Sequence, residues 1–300
     1  MTDLVIRALS ESDASLFDTL ESPGLVGRAI AGVRYATFAE GGDYRPEWTY
    51  VALRDDRVVA RAAWWGAEAN EQPVLLNWFD FADGEQEAGT ELLRRAPFDV
   101  EYELMLPPDW RERPETLAAG RARIAAAEAA GMKMLVERYH YKWTLECGLP
   151  PRTTRLTFRE ERDDAVLFDV LRRVNTGSLD AHAQRAIEEH DLDTAAQEEL
   201  DYIHWCPEAW PQLAYDAEGD LVGLHLPARV LSGHAAALIG VVPEQRGHGY
   251  AFDLLAESTH FLVDRGVTTI VAATDEGNFP MAAHFAKAGY PVVQKRINLV

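Results

Sequence analysis

The spacing of hydrophobic residues near the end of the chain alternates between the patterns typical of β-strands and of α-helices. Residues 234–242 form a short apolar run before Pro243, which predicts a buried strand. Between residues 251 and 266 the apolar side chains recur every three or four positions, which predicts a helix ended by Gly266. The pattern then predicts a β-branched strand over 267–274, a loop and helix over 278–290, and a final strand over 291–300.

Three pairs of segments recur in the same order in the two halves of the chain. They are SDASLFDTL with DDAVLFDVL, YVALRDDRVVARAAWW with QLAYDAEGDLVGLHL, and AAAEAAGM with AHFAKAGY. These pairs predict a helix start, a β-hairpin, and a helix closed by glycine before a strand. The order indicates two copies of one fold. Gly148 and two prolines in CGLPPRTT mark the junction, so we predict domains at 1–149 and 150–300.

Composition and charge narrow the classes of partner. The 300 residues carry a net charge of −20, which disfavours nucleic acid, since phosphate contacts need clustered Lys and Arg. No apolar run reaches membrane-span length and the N-terminus lacks signal-peptide features, so we expect no membrane partner and a cytoplasmic protein. Two cysteines fit a reducing compartment, and nine histidines without zinc spacing predict no metal site.

The stretch PEQRGHGYAFDLL places a glycine loop between the predicted strand and the predicted helix. The free N–H groups of a first helical turn, together with the helix dipole, form an anion site. No Gly-Lys-Ser/Thr follows, and Phe252 stands where a dinucleotide fingerprint needs its last glycine. The loop therefore predicts a phosphate-binding turn of another type.

The loop resembles the acetyl-CoA motif of the GCN5-related N-acetyltransferase (GNAT) superfamily, (Gln/Arg)-x-x-Gly-x-(Gly/Ala). The matching residues are Arg246, Gly247, His248, Gly249, Tyr250 and Ala251. Asn278 and the later AGY resemble the last motif of that family, and the tandem plan is similar to its mycothiol-synthase-type members. The resemblance implies an α+β (α/β) fold of two tandem GNAT-like domains, each a mixed, mostly antiparallel sheet flanked by helices.

The resemblance also implies how acetyl-CoA, as cosubstrate, would bind. The strand before the loop would part from its neighbour and hold the pantetheine arm, and the loop N–H groups would hold the pyrophosphate. The implied cofactor-binding residues are Ile239, Gly240, Val241, Arg246, Gly247, His248, Gly249, Tyr250, Ala251, Asn278 and Phe285.

Catalytic groups are less clear, because family members commonly use Glu or His on that strand and Tyr on the last helix. Here the strand offers Ala235, Ala237 and Ile239, and Phe285 stands at the Tyr position. His225 and His284 are candidate proton carriers, although structural histidines are commoner. Four residues of an acidic helix are further candidates if they face the thioester: Glu198, Glu199, Asp201 and Tyr202.

The first half lacks a comparable loop. Gln86 and Gly89 have the right spacing, but Glu85, Glu87 and Glu91 surround them and would repel a pyrophosphate. We interpret this half as a degenerate copy that shapes the acceptor pocket or an interface. Core packing is favoured over pocket lining for most of the aromatic residues of this half: Trp48, Trp64, Trp65, Trp78, Phe79 and Trp143.

These features predict an N-acetyltransferase that moves acetyl from acetyl-CoA to the primary amine of a small molecule by direct transfer in a ternary complex. The acidic balance favours a small cationic amine as acceptor. The alternative is a non-catalytic acyl-CoA-binding sensor or scaffold module. A homodimer is a candidate assembly.

Overall fold

The computed structural model describes residues 3–21 and 24–300, and the chain forms two units. One unit is Met1–Glu137 with Gln294–Val300, and the other is Arg138–Val293. The last strand of the chain therefore completes the sheet of the first unit. These units are defined by contacts, and the predicted boundary between copies at residues 149 and 150 stays a prediction.

The first unit contains a six-stranded sheet in the order β1-β2-β3-β4-β5-β13, in which β13 is Val292–Leu299 near the end of the chain. Asp55 and Asp56 turn the β2–β3 hairpin with φ of 52° and 61°, the conformation of a type I′ turn. Its elements are β1 (Val5–Ala8), β2 (Tyr44–Arg54), β3 (Arg57–Trp65), β4 (Leu75–Phe81), α1 (Gln86–Arg95), β5 (Tyr102–Leu106) and α2 (Pro114–Ala130).

The second unit contains a sheet in the order β6-β12-β11-β10-β9-β7, with β8 beside β10. Its strands are β6 (Met134–Thr144), β7 (Thr157–Glu160), β8 (Glu208–Ala209), β9 (Gln212–Tyr215), β10 (Leu221–Val230), β11 (Gly233–Val241) and β12 (Thr269–Asp275). Its helices are α3 (Asp164–Asn175), α4 (Ala181–Glu189), α5 (Leu192–Trp205), α6 (Tyr250–Val263) and α7 (Phe279–Lys287). Residues of β6 before Arg138, and of β13 from Gln294, belong to the first unit.

Both units confirm the predicted fold class. Neighbouring strands are antiparallel except for β4 with β5 and β11 with β12, so each sheet is mixed and mostly antiparallel. The predicted strand, helix, strand and helix after residue 233 are β11, α6, β12 and α7. Five of the six aromatic residues assigned to packing are buried at 5% exposure or less, and Trp65 is partly buried.

One repeat pair differs in detail between the units. Asp163 caps α3 by accepting from the backbone N–H groups of Ala165 and Val166. In the first unit the matching segment is a 3-10 helix over Glu11–Thr19, with a non-helical residue at Asp13. The Asp13 carboxylate accepts from the backbone N–H of Ser10 and fixes this kink. In residues 3–21 and 24–300, no helix has the length and apolar character needed to cross a bilayer.

Candidate functional site

Strands β11 and β12 share a single ladder pair, Ala235 with Val271, within the described chain. Beyond that pair, β11 is an interior strand of the sheet, yet Ala237, Leu238 and Ile239 are partly exposed. An interior strand exposes such positions when its neighbour diverges from it. We call the resulting opening, between residues 237–241 of β11 and 273–275 of β12, the cleft.

A β-bulge lies at the start of the cleft. Leu226 of β10 faces Leu238, whereas the next residue, Pro227, faces Ala236, so Ala237 is an extra residue on β11. A bulge leaves its extra residue out of the ladder and redirects the strand. The bulge therefore places peptide groups of β11 at the cleft without the full pairing of a regular strand.

The loop after β11 leads into the N-terminus of α6. Gly247 and Gly249 have φ of 84° and 76°, a region that disfavours residues with a Cβ. Gly249 is the N-cap, and no side chain caps the first turn of the helix. Residues 246–249 are exposed, so the N–H groups of this turn are available to an anion.

Arg246 supports the loop through its guanidinium group. This group donates to three backbone carbonyls: Val241 at 3.1 Å, Gly177 at 3.1 Å and Val174 at 2.7 Å. The arginine thus ties the loop to the C-terminal end of α3, where cations are favourable. The guanidinium group of Arg246 therefore holds the loop in place, and the predicted anion-binding role of the loop rests on its backbone N–H groups.

A cavity of about 420 Å³ opens beside the loop at the first turn of α6. Arg155 lines it, stacks its guanidinium 4.7 Å from the centre of the Tyr250 ring, and pairs with Asp253. Lys287 of α7 lies 3.9 Å from the centre of the Phe252 ring and has no carboxylate partner among the described residues. The cavity thus combines an aromatic wall with an uncompensated cation.

Two further predicted ligand-binding residues lie on α7. Asn278 is the N-cap, and its side-chain oxygen accepts from the backbone N–H of Met281 at 3.2 Å. Phe285 is only 2% exposed and stacks on Tyr141 with ring centres 4.2 Å apart. The side-chain oxygen of Asn278 thus caps α7 while the residue stays partly exposed, whereas Phe285 has almost no surface left for a ligand.

The two candidate histidines lie in different surroundings. His225 faces Ile239 across the sheet, is fully buried, and packs edge-on against Phe158. Burial lowers the pKa of His225 to about 3, so the ring is neutral at physiological pH. His284 lines the cavity beside the loop, and burial followed by the charge of Lys287 lowers its pKa. Their catalytic roles stay predictions, and burial argues against His225.

One of the acidic-helix candidates, Glu199, points inward. Its carboxylate accepts from the side-chain amide of Asn175 at 3.0 Å, and burial, followed by the charge of Asp180, raises its pKa to about 8. The other candidates point elsewhere: Glu198 and Asp201 are exposed, and Tyr202 stacks on Trp205. Helical periodicity alone could not tell which of the two glutamates points inward, because Glu198 and Glu199 are adjacent on α5 and equally polar.

The matching region of the first unit is closed. Strands β4 and β5 also share one ladder pair, Leu76 with Tyr102, but every residue of β4 from Leu76 to Asp80 is buried. Arg123 of α2 passes the Phe81 ring and donates to Asp80 at 2.8 Å. Because Asp80 and Phe81 alternate between the faces of the sheet, Arg123 contacts side chains on both faces of β4 near its C-terminal end.

The loop after β4 also carries its own anion. Glu85 is the N-cap of α1 and forms a two-point ion pair with Arg54, with contacts of 3.2 Å and 3.1 Å. Glu91 pairs with Arg94 and Arg95 on the same helix. A carboxylate therefore stands at the helix N-terminus where the second unit presents two exposed glycines.

Comparisons with known proteins agree with this geometry. The Acetyltransferase (GNAT) family model matches residues 180–290. A tandem GNAT protein from the clavulanic acid biosynthesis pathway covers 100% of this chain and 98% of its own, with a TM-score of 0.53 and 16% identity. A GCN5-related N-acetyltransferase from Sphaerobacter thermophilus covers 99% and 94%, with a TM-score of 0.54 and 15% identity. No curated protein sequence matches the chain significantly.

Proposed function

We propose that the second unit binds acetyl-CoA and transfers its acetyl group to a small primary amine, since the Acetyltransferase (GNAT) family model matches residues 180–290. The observation that carries the proposal is the cleft, which leads from an interior strand with partly exposed apolar residues to an exposed glycine loop at the N-terminus of α6. An extended acyl chain ending in a pyrophosphate matches both parts.

The residues of the cleft suit a pantetheine arm. The unpaired edge of β11 from Ala237 to Val241 offers backbone groups to an amide-containing chain in the manner of an added strand. The loop N–H groups from Gly247 to Ala251 would take the pyrophosphate, and the cavity with Lys287 would take the nucleotide end. The net charge of −20 does not oppose anion binding, because the anion would meet local N–H groups and the Lys287 ammonium group, which has no carboxylate partner among the described residues.

Acetyl transfer needs a neutral amine, a polarised carbonyl and a proton for the departing thiolate. Peptide N–H groups at the Ala237 bulge would polarise the carbonyl, since they lie where the two strands part. Binding both reactants in one cleft supplies the effective concentration for direct transfer in a ternary complex. Acidic side chains around Asp180 and Asp275 favour a cationic amine as acceptor.

CoA release tests this function directly. Purified protein with acetyl-CoA would be offered spermidine, glucosamine, tyramine and L-lysine, and free thiol would be followed with time. We expect at least one amine to accelerate CoA release and to gain one acetyl group by mass spectrometry. Acetyl-CoA that binds but shows no release with any amine contradicts the enzyme function.

A sensor or scaffold module is the second candidate function. It is favoured by the cleft-facing side of β11, which carries no titratable side chain: Ala237, Leu238, Ile239 and Val241 are all apolar. Tight acetyl-CoA binding without turnover would support it. Acetylation of any of the four amines would contradict it.

A further inference from the structure

Resting on the proposed acetyl transfer, we propose that the Glu199 carboxylate is the general base that removes a proton from the ammonium group of the acceptor. Glu199 belongs to α5, outside the strand, loop and helix that form the cleft and the anion site. Asn175 is the positioning residue, since its amide holds one carboxylate oxygen of Glu199 at 3.0 Å.

Packing of α3 places Glu199 near the end of β11. Val174 precedes Asn175 and lies so close to β11 that a Cβ at Gly240 would approach its Cγ1 to 2.3 Å. Gly240 is one of the cleft residues. Asn175 follows Val174 on α3, so one hydrogen bond links Glu199 to the helix residue next to the one that packs on Gly240.

Ion pairs connect the same region to the end of β12. Asp180 acts electrostatically on Glu199 and pairs with Arg138 at 3.1 Å. Arg138 also pairs with Asp275, the last residue of β12, at 2.9 Å. These ion pairs connect the surroundings of Glu199 to the C-terminal end of β12, as the packing of α3 on Gly240 connects them to the end of β11.

No cation neutralises Glu199 within the described part of the chain. Arg172 and Arg173 on α3 pair with Asp193 and Glu244, and Arg185 on α4 pairs with Glu189. The other titratable neighbours are Asp180 and Glu198, which add negative charge, and His182, which acts on Asp275. An acceptor ammonium group would supply the missing positive charge.

The state of the carboxyl group suits proton transfer near neutral pH. Burial, followed by Asp180, raises the pKa of Glu199 to about 8, within the range in which a general base works best. Among the described residues, the Asn175 amide is the hydrogen-bond donor that contacts the carboxylate, and Glu199 retains some exposure. One oxygen is therefore free to accept from the ammonium group.

Atoms and electrons balance in this step. Glu199 takes one proton from the ammonium group, and the nitrogen lone pair then forms the C–N bond at the acetyl carbonyl. The C–S bond breaks as the carbonyl re-forms, and the second nitrogen proton passes to the departing sulfur to give free thiol. Glu199 then returns its proton to water.

Glu199→Gln tests the assignment, with Glu198→Gln as the control on the exposed side of the same helix. Against the best of the four amines, Glu199→Gln should lose at least about 100-fold in kcat/KM while the KM for acetyl-CoA stays within about twofold. The rise of wild-type kcat/KM with pH, with a midpoint near 8, should disappear. Glu199→Asp, which keeps a carboxylate, should recover part of the activity.

A second readout does not depend on turnover. The infrared carbonyl band of a protonated carboxyl group should decrease between about pH 6 and about pH 9 in wild type and be missing in Glu199→Gln. A Glu199→Gln protein within about threefold of wild type, an equal loss in Glu198→Gln, or an unchanged band overturns the base assignment. Wild-type protein without CoA release overturns the proposed function, and this inference with it.

Discussion

Some side chains of the second unit are engaged in hydrogen bonds or core packing, and others remain able to react with a ligand. The guanidinium group of Arg246 donates hydrogen bonds to three backbone carbonyls, and the Phe285 ring stacks on Tyr141 in the core. His225 is buried without a partner for either ring nitrogen. Glu199 is the contrasting residue, because one amide holds it and no cation offsets its charge. Motif position alone therefore does not identify the proton carrier.

Glu199→Gln should change stability with pH. A carboxyl whose pKa is raised to about 8 from 4.5 penalises folding increasingly as pH rises between those values. We expect wild type and Glu199→Gln to be equally stable near pH 4.5 and the variant to be more stable at pH 9, by roughly 2–4 kcal/mol. Urea denaturation at the two pH values measures this, and equal stability at both contradicts the buried carboxyl.

His225→Phe should behave oppositely with pH. Because burial lowers the pKa of His225 from 6.5 to about 3, the folded protein resists protonation and loses stability as pH falls between these values. The phenyl ring removes that loss, so the variant should denature at lower pH than wild type. The exposed His190→Gln is the control. Loss of acetyl transfer in His225→Phe at pH 8 would restore a catalytic role.

At the scale of elements, the sequence predicts those helices, strands and turns that depend on local sequence signals. Apolar periodicity, β-branched residues and glycine positions located β11, α6, β12 and α7, and the positive φ of Gly247 and Gly249 agrees with the predicted turn. The role of Arg246 could not be predicted, because its carbonyl partners at Val174 and Gly177 lie about seventy residues earlier. The inward position of Glu199 depends likewise on α3 packing against β11.

Lys287→Glu tests the cavity between α6 and α7. Reversing this unpaired charge should weaken acetyl-CoA binding by about tenfold at low salt and by less at high salt, since exposed charges are screened. Binding of S-acetylpantetheine, which lacks the nucleotide, should be unchanged. The control is Lys142→Glu, an exposed lysine outside the cavity. Equal effects on both ligands would place the nucleotide end elsewhere.

At the scale of the whole molecule, the two units have similar topologies but differ where their two parallel strands diverge, between β4 and β5 and between β11 and β12. The second unit leaves apolar residues of β11 partly exposed, whereas β4 of the first unit is buried from Leu76 to Asp80 and pairs Asp80 with Arg123. The sequence pointed to a degenerate first copy through the glutamates near α1. It could not show the Arg123 contact, which joins residues 43 positions apart.

Arg123→Met should destabilise the first unit. Asp80 is buried and also pairs with Arg61, so removing Arg123 leaves a partly compensated buried charge and should cost about 3 kcal/mol. Arg121→Met, on the exposed side of the same helix, is the control and should cost little. Chemical denaturation measures both, and equal stability of the two variants contradicts a structural role for the pair.

Calorimetric titration with acetyl-CoA tests most directly that the second unit alone holds the ligand. We predict one site per chain in wild type and no measurable binding in Gly249→Glu, where a side chain and a negative charge enter the α6 turn. The matched control is Gly84→Glu, at a glycine with φ of 80° before α1, which should bind as wild type does. Two sites per chain, or equal binding by Gly249→Glu and wild type, would contradict the account.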